Sequence, residues 1–400
     1  MAFFPVEYGS EGEYLDENDA GEDTVLLSLV QSYDWQGTLA RIRSFPEECR
    51  IAGVEARMPL HVACDHDAPA IVVQEILQTY PEASLMVGTS EMNPLHITCS
   101  SKNASVDVVR CLLKGGLALQ SSMCDVDGDT PLHAACRCGA PIEVLETLLM
   151  TNPAAVNEAD YESLTPIFRL WIRVLVILGN DAIESVQGLD DLKGELGEVW
   201  KKTELLLRCA YFGSPEENAS FRAVHAASLL DCPRSVVKIA TILHPEQLEE
   251  KDSLGRTPFI IAAQAPVFKV RDLSDAGYIL EDQIHGNNQE DNTTSVNREE
   301  DQVSSQPSVI DILAQASVST KAACIPDNDG RIPLHHAIEC GKTWSRGIKT
   351  ILGACPESLS LPDVRTGLLP FLQAATVKEV DTGTIYELLR KDPSLLGDFY

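Results

Sequence analysis

The residues of this 400-residue sequence that could do chemistry recur together at a fixed spacing. Histidine and cysteine stand three residues apart in the segments 61–64, 96–99 and 133–136, and a Pro-Leu pair precedes each segment. Imidazole and thiolate are zinc ligands, and residues at positions i and i+3 of a helix share one face. Four ligands must converge on one zinc ion, however, and packed helices lie roughly 10 Å apart. Because the sequence also has no Cys-x-x-Cys, we favour buried free thiols over a metal site.

Motifs for catalysis are missing from the sequence. It contains no Gly-x-Ser-x-Gly, no phosphate-binding loop, no dinucleotide fingerprint and no His-Glu-x-x-His. Asp125, Asp127 and Asp129 alternate around Gly128 as in calcium-binding loops, but the glutamate that closes such a loop is absent at the required distance. We therefore predict a protein that is not an enzyme and has no catalytic residues, no cofactor and no metal.

The charge and the hydrophobicity of the sequence disfavour several classes of binding partner and several cellular locations. The sequence carries 31 Lys and Arg against 60 Asp and Glu, a formal net charge of −29. Such an excess of acid disfavours binding to nucleic acid or to an anionic membrane surface. Two arginines interrupt the most apolar segment, 167–179, and the N-terminus lacks the basic and apolar regions of a signal peptide. We predict a cytoplasmic protein, with the nucleus as the alternative, in which all twelve cysteines are free thiols.

Two stretches hold much of the acidic charge. Residues 1–23 contain eight acids and no base, and residues 281–301 contain seven acids and one base. Neither stretch has the density of apolar residues that offsets the entropy of an ordered backbone. We predict that both stretches, 1–23 and 281–301, are disordered, and residues 286–308 show no helical periodicity.

A repeat organises the rest of the chain. Segments of the type Pro-Leu-His-x-Ala, some degenerate, begin at positions 59, 94, 131, 166, 223, 258, 333 and 370, so their spacings are 35, 37, 35, 57, 35, 75 and 37 residues. The basic period is therefore 35–37 residues. The two long spacings predict insertions near 179–198 and 265–308, and a degenerate half unit with a first helix over 25–32 precedes position 59.

Each unit predicts two helices. In the unit that begins at 131, Gly128 suits a tight turn, Thr130 suits an N-cap, and Pro131 suits the first helical position. Apolar residues at helical spacing then predict a second helix over 141–150.

The units that contain insertions predict altered second helices. A long helix is predicted over 195–211, with one buried face that consists of Leu196, Val199, Trp200, Thr203, Leu206 and Leu207. A delayed second helix is predicted over 309–316. Trp171 has the register of the apolar Cys136 and is predicted to be core.

The segment 125–135 resembles the ankyrin repeat. The family motif Asp-x-x-Gly-x-Thr-Pro-Leu-His-x-Ala is matched by Asp125, Gly128, Thr130, Pro131, Leu132, His133 and Ala135. The period and a Pro-Glu marker near the end of several units resemble the expanded ankyrin-repeat proteins of diatoms and related algae. The resemblance implies an all-α solenoid of helix–turn–helix units over 24–400, with about eight repeats, a leading half repeat and two inserted loops. It also implies that the repeated histidines hydrogen-bond neighbouring backbone: His61, His96, His133, His225 and His335.

Ankyrin repeats mostly bind other proteins, so the resemblance implies a non-enzymatic scaffold that binds a protein partner on its concave surface. The acidic composition favours a basic partner. Candidate contacts lie at the loop tips and on the first helices: Arg137, Tyr161, Glu162, Ser253, Arg256, Asn328, Arg331 and Arg365. The four arginines of this set would make that surface less negative than the total charge indicates.

Two other functions stay open at this point. One is a substrate-recruiting adaptor for a ubiquitin ligase or another enzyme. The other is a thiol-based redox or metal sensor, for which Cys138 and Cys340 are the thiols predicted to be most exposed. We predict neither nucleic acid nor membrane as a partner, and we predict a monomer.

Overall fold

The computed structural model describes residues 23–53, 56–88, 90–115, 118–179, 183, 185–216, 221–265, 307–317, 321–378 and 380–393. Three predicted regions lie outside these ranges: positions 1–22 of the acidic tail, residues 286–306 of the second insertion, and the last seven positions of the predicted solenoid.

Eighteen α-helices form nine successive pairs in the described residues, where no β-strand occurs. In chain order they are α1 (Val25–Gln31), α2 (Trp35–Ser44), α3 (Pro59–Asp65), α4 (Ala70–Thr79), α5 (Pro94–Cys99), α6 (Val106–Gly115), α7 (Pro131–Cys138), α8 (Ile142–Thr151), α9 (Pro166–Leu178), α10 (Glu195–Phe212), α11 (Ala223–Leu229), α12 (Arg234–Leu243), α13 (Pro258–Gln264), α14 (Val309–Ala316), α15 (Pro333–Glu339), α16 (Ile348–Ala354), α17 (Pro370–Thr376) and α18 (Thr382–Lys391). The prediction of an all-α fold built from helix–turn–helix units is confirmed. The segment before position 59 holds a complete pair, α1 and α2, rather than a half unit.

Local sequence explains where the helices begin and end. Most first helices start at the repeated proline, whose missing N–H costs nothing at the first helical position. Most second helices are followed by a short 3-10 turn that starts at another proline, as in Pro46–Arg50 and Pro356–Ser360. The proline ends the preceding helix because it restricts the backbone of the residue before it.

Residues 23–98 and 104–126 form one compact unit. Its second helices pack in a row, with α4 in contact with both α2 and α6. Val72, Val73 and Ile76 of α4 are fully buried, and so is Leu60 of α3. This unit is therefore held together by aliphatic burial between neighbouring helix pairs.

Residues 99–103 and 127–393 form a second compact unit. Its first helices pack in two rows. One row consists of α7 and α9, and the other consists of α11, α13, α15 and α17 in succession. The second helices α12, α14 and α16 form a third row. The first helices carry small, fully buried alanines, such as Ala135, Ala226, Ala263 and Ala337. Small side chains at these positions let the backbones of successive pairs approach closely.

The pair formed by α9 and α10 is longer than the other pairs, with 13 and 18 residues. All six residues of the predicted inner face of α10 are buried. Trp171 is completely buried, and its indole Nε1–H donates a hydrogen bond to Thr203 Oγ1 at 3.0 Å. The predicted core position of Trp171 is confirmed, and the delayed second helix occurs as α14 over the predicted residues.

The cysteines differ from the prediction at one place. A disulfide joins Cys324 to Cys355, and the other ten cysteines are not part of a disulfide. The two residues are 31 positions apart, and their Cα atoms lie 5.5 Å apart, which suits a disulfide. The prediction that all twelve cysteines are free thiols is therefore wrong for this pair, because the repeat brings positions about one period apart into contact. Cys340 is exposed as predicted, Cys138 is half-buried, and Cys124 is a further exposed thiol.

Candidate protein-binding surface

The repeated histidines fix the turns between helix pairs. His61 Nε2 lies 3.0 Å from the carbonyl oxygen of Met86, and His133 Nε2 lies 3.1 Å from that of Leu164. Two further histidines bind the carbonyl of the following turn in the same way, through the pairs His225–Glu250 and His335–Leu361. The imidazole therefore donates its Nε2–H to a backbone carbonyl of the next turn along the chain.

The second ring nitrogen holds the start of the histidine's own helix. The Nδ1 of His133 accepts a hydrogen bond from the backbone N–H of Thr130 at 3.1 Å, so the proton resides on Nε2. Burial lowers the pKa of His133 to about 4, and the imidazole is neutral at neutral pH. The structural role that the resemblance implied is confirmed for His61, His133, His225 and His335.

An aspartate at the start of several turns shapes the turn itself. The Oδ1 atom of Asp252 accepts hydrogen bonds from the N–H groups of Leu254 and Arg256, at 2.9 and 2.8 Å. Asp327 does the same for Asp329 and Arg331. Burial alone would raise the pKa of Asp252, but hydrogen bonds from the Arg256 backbone and guanidinium hold it below its ordinary value. The sequence analysis used only Asp125 of this series, although an aspartate recurs six or seven residues before the proline at 125, 160, 252, 327 and 363.

Successive turns touch at their tips. Gly128 has a φ of +79°, and a Cβ there would lie 2.7 Å from the backbone nitrogen of Tyr161. That nitrogen donates a hydrogen bond to the carbonyl of Asp127 at 3.1 Å. Gly255, with a φ of +78°, lies in the same way against the side chain of Asn328. Glycine is required at these turns both for its positive φ and for the close approach of the next turn.

Three turns of the second unit lie in a row, and most of the residues at their tips are exposed. The turn at Gly255 contacts Asn328, and a Cβ at Gly330 would lie 3.4 Å from the side chain of Val364. We call residues 253–255, 328–330 and 364–365 the tip strip. Leu254 and Val364 project from it with 66% and 68% of their surface exposed. Exposed aliphatic side chains on turns that are held by aspartates are a suitable contact surface for another protein.

The arginines predicted as contacts are paired within the chain. The Arg256 guanidinium lies 2.8 Å from Asp252, and that of Arg365 lies 3.0 Å from Glu339. Arg137 lies 3.1 Å from the buried Asp129. Each of these three arginines therefore neutralises a carboxylate of the chain and is not an unpaired positive charge.

Arg331 differs from the other predicted contacts because it is buried. Only 4% of its surface is exposed. Its guanidinium binds Asp363 through Nε and Nη2, at 3.1 and 2.8 Å, and binds Glu339 through Nη1 at 2.6 Å. Arg331 thus stabilises the tip strip through Asp363 and Glu339, and its buried side chain is not available to a partner.

The remaining predicted contacts lie on turn tips. Ser253 and Asn328 belong to the tip strip and are exposed. Tyr161 is 76% exposed at a separate turn. Its neighbour Glu162 is half-buried and lies 3.1 Å from Arg169, which also binds the buried Asp160 at 2.7 Å. The structure therefore brings Ser253, Asn328 and Arg365 together and leaves Tyr161 on another turn.

The described ranges also bear on metal binding and on membrane crossing. No group of three or more His, Cys, Asp or Glu residues there is arranged to hold a metal ion. Within the same ranges, no helix combines the length and the apolar character needed to cross a bilayer.

The family model for ankyrin repeats, in three copies, matches residues 60–160, about a quarter of the chain. These residues include the three pairs from α3 to α8, apart from the first residue of α3. The resemblance found in the sequence is confirmed for this segment. No curated protein matches the chain.

Proposed function

From the ankyrin repeats at residues 60–160 and the exposed turns of the second unit, we propose that this chain is a non-enzymatic scaffold that binds a protein partner. Ankyrin repeats are general protein–protein interaction modules. The proposed contact surface is the tip strip, and the proposed partner presents basic groups around an apolar centre.

The tip strip carries the proposal because its exposed apolar side chains are held in place by the fold. Leu254 follows Asp252, whose carboxylate fixes the turn, and Val364 follows Asp363, which is fully buried. A surface that is already ordered loses little conformational entropy on binding. Exposed aliphatic residues on such a surface provide apolar area for the partner to bury.

The charge around the strip supports a basic partner. The nearby arginines are matched by carboxylates of the chain, and Asp329 is exposed at the centre of the strip. The whole chain carries a formal charge of −29. A basic partner would therefore be attracted over long range and would associate faster at low salt.

The proposal is tested by capturing partners from the source cell and measuring their affinity for tip variants. We expect the double variant Leu254→Ser with Val364→Ser to weaken binding by about 10-fold or more, the loss that removal of two central apolar contacts produces. The matched control is Val176→Ser with Ile177→Ser, because these residues of α9 are 63% and 48% exposed in the same unit but outside the strip.

Salt provides the second arm of this experiment. Affinity should fall between about 50 and 300 mM salt because exposed charges are screened. Equal binding by the wild type and the tip variant would overturn the assignment of the strip. Binding that is indifferent to salt would overturn the basic partner. An enzyme of the ubiquitin system in the captured complex would favour the adaptor function.

A further inference from the structure

The Cys324–Cys355 disulfide occupies a contact that recurs between successive helix pairs. Cys324 is the last residue of the 3-10 turn Ala322–Cys324, and Cys355 caps the C-terminus of α16. The same two positions in the first unit are Arg50, at the end of Pro46–Arg50, and Tyr80, at the C-terminus of α4. There the Arg50 guanidinium lies over the Tyr80 ring, 5.2 Å from its centroid.

This comparison shows that the fold does not require a covalent bond at the contact. In the first unit the two positions meet through a cation and an aromatic ring. The equivalent residues of the last pair, Ser360 and Asp392, line one surface cavity together. The repeat therefore brings the two cysteines together whether or not they are bonded.

The two sulfur-bearing residues differ in access to solvent. Cys355 is 1% exposed, whereas Cys324 is half-buried at the surface. We therefore expect a small thiol in solution to reach Cys324 more readily than Cys355. Such an asymmetric pair has one sulfur that exchanges with solution thiols and one that resolves the mixed disulfide.

We propose that Cys324 and Cys355 form a reversible thiol–disulfide switch that controls how firmly the Asn328 turn is held. In the oxidising direction, the Cys324 thiolate attacks glutathione disulfide, forms a mixed disulfide and releases one glutathione. The Cys355 thiolate then attacks the Cys324 sulfur and releases the second glutathione. Two protein thiols lose two electrons and two protons, and glutathione disulfide is reduced to two glutathione molecules.

The bond encloses part of the tip strip. The 31-residue separation includes the Asn328 turn, α15 and α16. Closing this loop removes conformational freedom from the opened state of the segment. The oxidised chain should therefore hold the Asn328 turn more firmly than the reduced chain. The consequence for partner binding rests on the proposed function, but the switch itself does not.

The switch is tested on the full wild-type chain by alkylation and hydrogen exchange. In the protein oxidised with glutathione disulfide, Cys324 and Cys355 should resist alkylation and carry no glutathione, whereas the exposed Cys124 and Cys340 should be alkylated or carry glutathione. After reduction, Cys324 should become reactive in the folded protein, and Cys355 should react only after unfolding. Amide exchange over residues 325–354 should be about 10-fold faster in the reduced form.

The Cys324→Ser variant should exchange like the reduced wild type and should not respond to glutathione disulfide. Alkylation of Cys324 in the glutathione-disulfide-treated protein would overturn the proposal, as would equal exchange in the two redox states of the wild type. If the tip variants bind partners normally, only the proposed effect of the switch on partner binding is refuted. Alkylation and exchange still decide whether the switch exists.

Discussion

Replacing Arg331 by methionine should destabilise the end of the second unit far more than the same change at Arg365. Both arginines bind Glu339, at 2.6 and 3.0 Å, but their environments differ. The side chain of Arg331 is 5% exposed and that of Arg365 is 67% exposed. Arg365→Met is therefore the matched control, since it removes the same chemical group from the same partner at the surface.

The expected magnitude follows from what each change leaves behind. Arg331→Met leaves the fully buried Asp363 without its two guanidinium hydrogen bonds. The Asp363 carboxylate keeps the bonds from Gln373 Nε2, at 3.0 Å, and from the Arg365 backbone N–H, at 2.9 Å. Removing one partner of a buried ion pair costs about 3–5 kcal/mol, and we expect the lower end. An exposed pair such as Arg365–Glu339 contributes only about 0–1 kcal/mol.

Native-state hydrogen exchange over residues 331–376 is the suitable assay, because repeat proteins can open locally rather than in one step. A second variant tests the cause. Adding Asp363→Asn to Arg331→Met removes the uncompensated charge and should recover at least half of the lost stability. The reasoning is refuted if Arg331→Met costs no more than Arg365→Met, or if the added Asn lowers the stability further.

Two other predictions concern the histidines. His133→Ala should lower the free energy of unfolding by roughly 1–3 kcal/mol, because the buried carbonyl of Leu164 loses its hydrogen-bond donor. Urea denaturation measures this loss, and an unchanged midpoint would contradict the role of His133. The pKa of His133 is lowered to about 4 in the folded protein, so the unfolded chain binds the proton more readily. The contribution of neutral His133 to the free energy of unfolding is complete above about pH 6.5 and is lost as the pH falls towards 4. The loss between pH 7 and pH 5 is roughly 2 kcal/mol. The His133→Ala variant should lack this part of the pH dependence, and an equal dependence in both proteins would be evidence against it.

Much of the fold could be predicted because local sequence features define each repeat. Prolines at first helical positions and apolar residues at helical spacing indicated the helix pairs, and α14 was predicted at its observed residues. The long α10 extends by only one residue beyond its predicted end. Periodicity and capping determine these features, and both can be recognised in a single sequence.

Long-range pairing was harder to predict from the sequence. Arg331 was expected at the surface, but its position against Asp363, 32 residues later, depends on how two turns pack. The disulfide depends in the same way on a contact between a 3-10 turn and the following second helix. Sequence spacing near one period was the available signal for both contacts, but it does not indicate which side chains meet.

The most direct test of the protein-binding surface is a hydrogen-exchange footprint of the full chain with and without its captured partner. We predict that the partner slows exchange at residues 253–256, 328–331 and 364–365, and leaves Val176 and Ile177 unchanged. Protection confined to α9 or to the second helices, with no change in the tip strip, would contradict it.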